Sequence, residues 1–314
     1  MKKLLFVYNP RAGKEMLKPR LSDVLDIFVK AGYEVTVHPT QAYRDAYYQI
    51  KEYEVGKYDL IACSGGDGTI DEVATGMMKR REMGKDVVPV GYIPAGTTND
   101  FAKSLHIPRK PLAAADNAVK GVPFPCDIGK FNDSVFVYIA AFGLFTDVSY
   151  ETNQDLKNIL GHAAYILEGT QRLFNIASYQ LKVETKDTSF EGDFIFGMVS
   201  NATSVGGFRK LTGPDVLLDD GVFEVLLIRR PKNILELNEI ITALLGGADT
   251  SNIESFKTSY LKITSETQIS WTLDGEFGGE HREVEIQNMN HAVNIILKKD
   301  EKVPLIQANT ENIK

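Results

Sequence analysis

Two different rhythms of apolar and polar positions run along this chain. Up to about residue 125, short and mostly apolar runs at residues 4–8, 58–63 and 87–93 read as strands buried on both faces. Residues 33–38 alternate like a further strand. Between these runs, residues 15–31 place apolar side chains at 17, 21, 24, 25, 28 and 29, a helical spacing that Gly32 terminates. Residues 69–81, 99–105 and 111–120 read as further helices, the last opening on Pro111 and closing at Gly121. This alternation predicts a parallel sheet covered by helices.

After residue 122 the rhythm changes. Residues 136–142, 179–184, 194–200, 222–229, 261–264, 269–273, 284–287 and 292–297 are strand-like and rich in β-branched and aromatic residues. Helical stretches near 154–175 and 233–246 interrupt them. The expected architecture is α/β plus all-β: an α/β unit over residues 1–125 and a mainly antiparallel second domain over residues 126–314.

Composition narrows the classes without naming one. Of 314 residues, 35 are Lys or Arg and 42 are Asp or Glu, a net charge of -7 that disfavours nucleic acid as the main partner. The acidity lies mostly after residue 125, and the first part is slightly basic. Two cysteines, Cys63 and Cys126, sit in apolar contexts and read as packing residues in a reducing compartment. No uncharged apolar stretch reaches membrane-spanning length and no secretory leader is visible, so a cytoplasmic protein is expected.

Candidate chemistry sits where strands meet helices. Ser64-Gly65-Gly66-Asp67-Gly68-Thr69 follows an apolar strand and opens a helix. Glycines let backbone N–H groups approach a ligand, and a helix N-terminus favours an anion. Thr69 with Glu72 has the spacing of a capping box. A carboxylate at Asp67 beside such a cradle calls for a cation between it and a phosphate, which points to Mg²⁺. Asn9-Pro10-Arg11-Ala12-Gly13 and Pro94-Ala95-Gly96-Thr97-Thr98-Asn99-Asp100 have the same strand-to-helix placement, where open α/β sheets bind ligands. None of the three loops is a G-x-G-x-x-G or a Walker motif. In the second part, Asp274-Gly275-Glu276 reads either as a hairpin turn or as a general base, and Asp219-Asp220-Gly221 either as a turn or as a cation site.

Taken together, these motifs, with Ser200-Asn201, Gly206-Gly207-Phe208 and their order along the chain, resemble the diacylglycerol kinase catalytic-domain family, most closely its small bacterial lipid kinases. The resemblance implies ATP contacts from Asn9, Pro10, Arg11, Ala12, Gly13, Thr40, Gly65, Gly66, Asp67, Gly68, Thr69, Ile70, Asp71 and Thr97. It also implies a C-terminal β-sandwich with the active site in the cleft between the two domains, a proton acceptor at Glu276 or Asp274, and a structural Mg²⁺ on the Asp220 side chain and the carbonyls of Leu217 and Val222. The implied acceptor is a lipid hydroxyl met at the membrane surface, diacylglycerol first. Phosphatidylglycerol, a sphingoid base, NAD and a non-catalytic nucleotide sensor are the alternatives. Asp71 stands where many relatives carry asparagine. A basic patch drawn from Arg80, Arg81, Arg109 or Lys110 is one candidate for membrane contact, and a homodimer is open.

Overall fold

A computed structural model describes residues 1–13, 17–97, 99–144, 177–201, 217–244 and 249–298. The first part is a parallel sheet of β1 (Lys2–Tyr8), β2 (Tyr33–Pro39), β3 (Leu60–Gly65) and β4 (Val90–Pro94), in the order β4-β3-β1-β2. Leu4, Leu5, Phe6 and Val7 are fully buried, as a strand covered on both faces requires. Helix α1 (Leu21–Lys30) packs on α5 (Pro111–Lys120), and α2 (Asp45–Glu52) packs on α3 (Asp67–Glu82). A fifth, short helix is α4 (Asp100–Ser104). The first helix starts later than its apolar spacing suggests: Pro19 lies in a 3₁₀ turn at Lys18–Arg20, and α1 begins at Leu21.

The second part comprises β5 (Val122–Phe131), β6 (Ser134–Phe136), β7 (Ile139–Gly143), β8 (Tyr179–Thr185), β9 (Ser189–Ser200), β10 (Phe223–Arg229), α6 (Ile234–Leu244), β11 (Ile253–Thr258), β12 (Tyr260–Leu273) and β13 (Glu276–Leu297). The helix expected near 154–175 and the Gly206-Gly207-Phe208 motif lie outside the described residues. These strands curl around an aromatic core in which Phe131 and Phe142 pack on Trp271, and Phe136 on β6 meets Phe223 on β10. The two faces thus close on each other as a β-sandwich.

A boundary at residue 125 does not describe the packing. It falls inside β5, which pairs along β13, and the end of β13 runs beside β4 with Ile295 opposite Val90. The Asn117 side chain on α5 donates to the Ile296 carbonyl at 3.0 Å. One sheet therefore carries both parts, and the last strand completes the first layer.

Candidate active site

The three glycine-bearing loops meet in space. The Asn9 N–H donates to the Ser64 carbonyl at 2.8 Å, and the Asn9 carboxamide oxygen accepts the Arg11 N–H at 2.9 Å, which fixes the turn after β1. Gly13 has φ +39°, and a Cβ there would fall 2.2 Å from the Ala95 carbonyl oxygen. On the other side, a Cβ on Gly96 would lie 2.6 Å from the Gly66 Cα. Asn99 clamps the third loop, accepting the Gly96 N–H at 2.9 Å and donating to the Gly96 carbonyl at 2.7 Å. Any side chain at these glycines would separate the loops.

A cavity of about 480 Å³ opens above them. Asn9, Pro10, Arg11, Ala12, Gly13, Thr40, Gly66, Gly68 and Thr69 all line it. The other expected nucleotide contacts stand elsewhere. Gly65 lies under Thr69, Ile70 is fully buried in the core, and Thr97 is exposed outside the lining. Asp71 faces a neighbouring cavity.

The capping box does not form. Helix α3 starts at Asp67 with Gly66 as its N-cap, so Thr69 is already in the first turn and no side chain caps the helix. Glu72 instead crosses to α2, accepting the N–H groups of Arg44 at 2.8 Å and Ala46 at 3.1 Å. Asp67 is likewise spoken for: its two oxygens accept the N–H groups of Asp100 at 3.2 Å and Phe101 at 3.4 Å. It positions α4 rather than lining the cradle. Burial raises its pKa to about 6, against the pull of those N–H groups.

Asp274 and Glu276, two residues apart, face different surroundings. Asp274 has φ +50° and is buried. It accepts three backbone N–H groups, from Val137 at 2.6 Å, Tyr138 at 3.0 Å and Ile139 at 2.9 Å. Those bonds explain why the expected strand over 136–142 breaks into β6 and β7. Burial pushes the Asp274 pKa up to about 7, and burial followed by the nearby Asp274 carboxylate pushes Asp71 well above the carboxylate range. One Asp71 oxygen has no hydrogen-bond partner. Glu276 is exposed, and its Oε1 lies 2.7 Å from where a Cβ on Gly68 would stand. It lines both the large cavity and a second one of about 240 Å³, together with Tyr43, Gly68 and Glu72.

The Asp219–Asp220 loop is organised by a residue that the motif reading passed over. Asp127 is fully buried and accepts the N–H groups of Gly221 at 2.7 Å and His291 at 2.8 Å and the Asn290 amide at 3.0 Å. A lone aspartate inside the apolar run 124–128 was its only sequence signal. Asp220 Oδ1 accepts the Val222 N–H at 3.2 Å, and Oδ2 lies 3.7 Å from Lys257 Nζ. Burial and the charges of Asp127 and Asp220 raise the Asp219 pKa. Among the described residues no three His, Cys, Asp or Glu side chains form a metal cluster, and the expected set has one carboxylate and two carbonyls.

Both parts of the chain match known protein families. Residues 3–131 match the model of the diacylglycerol kinase catalytic domain, and residues 140–297 that of the YegS C-terminal NAD kinase beta sandwich-like domain. The chain is therefore a kinase by fold and family, built from those two units. It belongs to the diacylglycerol kinase family: a diacylglycerol kinase of Bacillus subtilis is 36% identical over 96% of this chain and 98% of its own length. One from Staphylococcus epidermidis is 35% identical over 95% of this chain and 93% of its own. The crystal structure of a diacylglycerol kinase from Bacillus anthracis superposes with a TM-score of 0.71 at 22% identity, covering 95% of this chain and 97% of that one, and shares the fold.

Proposed function

We propose that this kinase transfers the γ-phosphoryl group of ATP to a lipid hydroxyl, with diacylglycerol as acceptor and phosphatidic acid as product. The supporting observation is the position of Glu276, an exposed carboxylate shared by two cavities and seated over Gly68 at the uncapped start of α3. In this reading the triphosphate occupies the three-loop cradle and the acceptor headgroup enters the smaller cavity. Glu276 then takes the hydroxyl proton as oxygen attacks phosphorus in line and the bond to the ADP oxygen breaks. Asp274, with three N–H bonds to satisfy it, holds the hairpin that presents Glu276 and is the weaker candidate for the base. The α3 N-terminus and the cradle N–H groups stabilise phosphate charge. Mg²⁺ would supply further neutralisation of phosphate charge when bound, and a structural Mg²⁺ would sit on Asp220 and the carbonyls of Leu217 and Val222. Among the described residues no helix is long and apolar enough to cross a membrane, so a lipid acceptor would be met from the surface.

The test follows label from ATP into diacylglycerol, phosphatidylglycerol and NAD in parallel. Label in phosphatidic acid is expected. Glu276→Gln should cut turnover about a hundredfold or more while ATP affinity stays within about twofold. Turnover within about threefold of wild type would remove Glu276 from the role of base, and label only in NAD would reject the lipid acceptor.

A further inference from the structure

The mouth of the smaller cavity carries aromatic side chains that the phosphoryl-transfer scheme does not use. Tyr43 is 73% exposed, Tyr48 49% and Phe277 74%. They come from two separate segments, α2 with its entry and the β12–β13 hairpin; Tyr43, Tyr47 and Phe277 line one opening with Glu276, and Tyr48 stands beside it with its ring 5.0 Å from that of Tyr47. Exposed apolar residues scattered singly need no explanation, but several large rings around one opening do.

Cations are interleaved with these rings. The Arg44 guanidinium lies 5.7 Å from the Tyr43 ring and 5.8 Å from Tyr47, and Lys51 Nζ lies 5.6 Å from Tyr47 and 5.8 Å from Tyr48. Neither cation has a carboxylate partner among the described residues, whereas nearby Lys79 is paired with Glu82 at 2.8 Å. Of the other carboxylates at the opening, Glu72 and Asp274 are occupied by backbone N–H groups, which leaves Asp71, Asp133 and Glu276. The Glu72 bond to the left-handed Arg44, φ +62°, also fixes the loop that projects Tyr43. By contrast, Arg80 is fully buried, and Arg81 is tied to the carbonyls of His291 and Ala292.

We infer that this rim of Tyr43, Tyr47, Tyr48 and Phe277, with Arg44 and Lys51, is the surface that docks on an anionic lipid bilayer. The inference rests on the lipid-kinase reading and names the partner surface for that same site. Amphipathic tyrosines suit the headgroup layer, and unpaired cations attract anionic headgroups. A chain of net charge -7 is repelled by such a surface as a whole, so its contact has to be local, and here rings and free cations coincide. Docked this way, a lipid hydroxyl reaches the opening beside Glu276 while its acyl chains stay in the bilayer.

The test is sedimentation with phosphatidylcholine vesicles, with and without phosphatidylglycerol, for the full chain and two variants, alongside turnover of a water-soluble short-chain diacylglycerol. The double variant Tyr48→Ser, Phe277→Ser should lose about tenfold in vesicle affinity on both compositions. Lys51→Gln should lose severalfold on anionic vesicles alone, an effect that salt erases. Melting curves separate loss of the surface from loss of the fold, and Lys51→Gln, a change at a half-buried position, carries the test if the double variant is unstable. No binding by wild type, or binding by both variants within about twofold of it, would overturn the surface. Turnover of the short-chain lipid with unaltered variant binding would sink the surface and leave the kinase reading standing. Intact, variant-sensitive vesicle binding with no lipid turnover would do the reverse.

Discussion

Asp71 is the side chain whose chemistry is least comfortable in this site. It is half-buried beside Asp274, and their mutual repulsion adds to the loss of water, so the pair holds a proton near neutrality. The sign of the linkage follows from the direction of these shifts. Both folded pKa values lie above the unfolded 3.8, and that of Asp274 reaches about 7. Between those limits the native state binds protons that the unfolded chain has released, so stability falls as pH rises. Asp71→Asn keeps the shape, removes one charge and can donate to Asp274. The variant should therefore melt a few degrees above wild type at about pH 8, with the gap shrinking toward about pH 5. A gap that does not change with pH would mean that the two carboxylates share no proton. Asp67, raised to about 6, contributes alike to both proteins and cancels in the comparison.

Among elements, the cradle is a contact between three loops rather than a property of any one. Gly13→Ala puts a Cβ 2.2 Å from the Ala95 oxygen at a positive φ, so the first and third loops have to separate. Gly32→Ala also meets a positive φ, +89°, but with nothing within 4 Å. Gly32→Ala should cost about 1–2 kcal/mol of stability, and Gly13→Ala more, because the backbone oxygen in its way cannot yield cheaply. Only Gly13→Ala should weaken ATP binding, by about tenfold or more, measured by calorimetry. Equal affinities would separate the cradle from the nucleotide. The loops were legible in the sequence because glycine and polar residues after an apolar run have a local cause. Features whose partner lies elsewhere in the fold were not. Thr69 and Glu72 have capping-box spacing, yet Glu72 serves α2, which no spacing reveals. Strand β5 was not among the expected strands: Pro123 and Pro125 interrupt its pattern, yet prolines two apart remove N–H groups from one edge only and β13 pairs along the other. The polar stretch Asn288, Asn290 and His291 made β13 look like two strands where it is one with a register shift. Glu276 could not be told from Asp274, because the left-handed turn at Asp274 decides which carboxylate reaches both cavities, Asp274 lining only the smaller one. Arg80 looked like surface charge, but its guanidinium lies 3.4 Å from the Tyr53 ring centroid and bonds to the Tyr53 and Asp86 carbonyls.

For the whole molecule, β13 joins the cradle to the carboxylate that would act on it. Its first residue is Glu276 and its last turns of pairing lie against β5 and β4, so the two parts share one sheet. The larger core is likewise common property, running from Leu4 through Ile195 and Leu226 to Ile296. A fragment of residues 1–125 would lose the strand beside Val90, expose Phe124, which pairs with Ile295, and leave the Asn117 amide without its Ile296 acceptor. Burial lost at a sheet edge and an unpaired buried amide each cost stability that a shortened core cannot replace. The full chain is accordingly expected to melt in one calorimetric transition, with the fragment showing no cooperative transition of its own. A fragment melting within about 5 °C of the full chain would instead mean two independent units. The distance from Glu276 to Gly68 would then depend on a linker, not on the shared sheet.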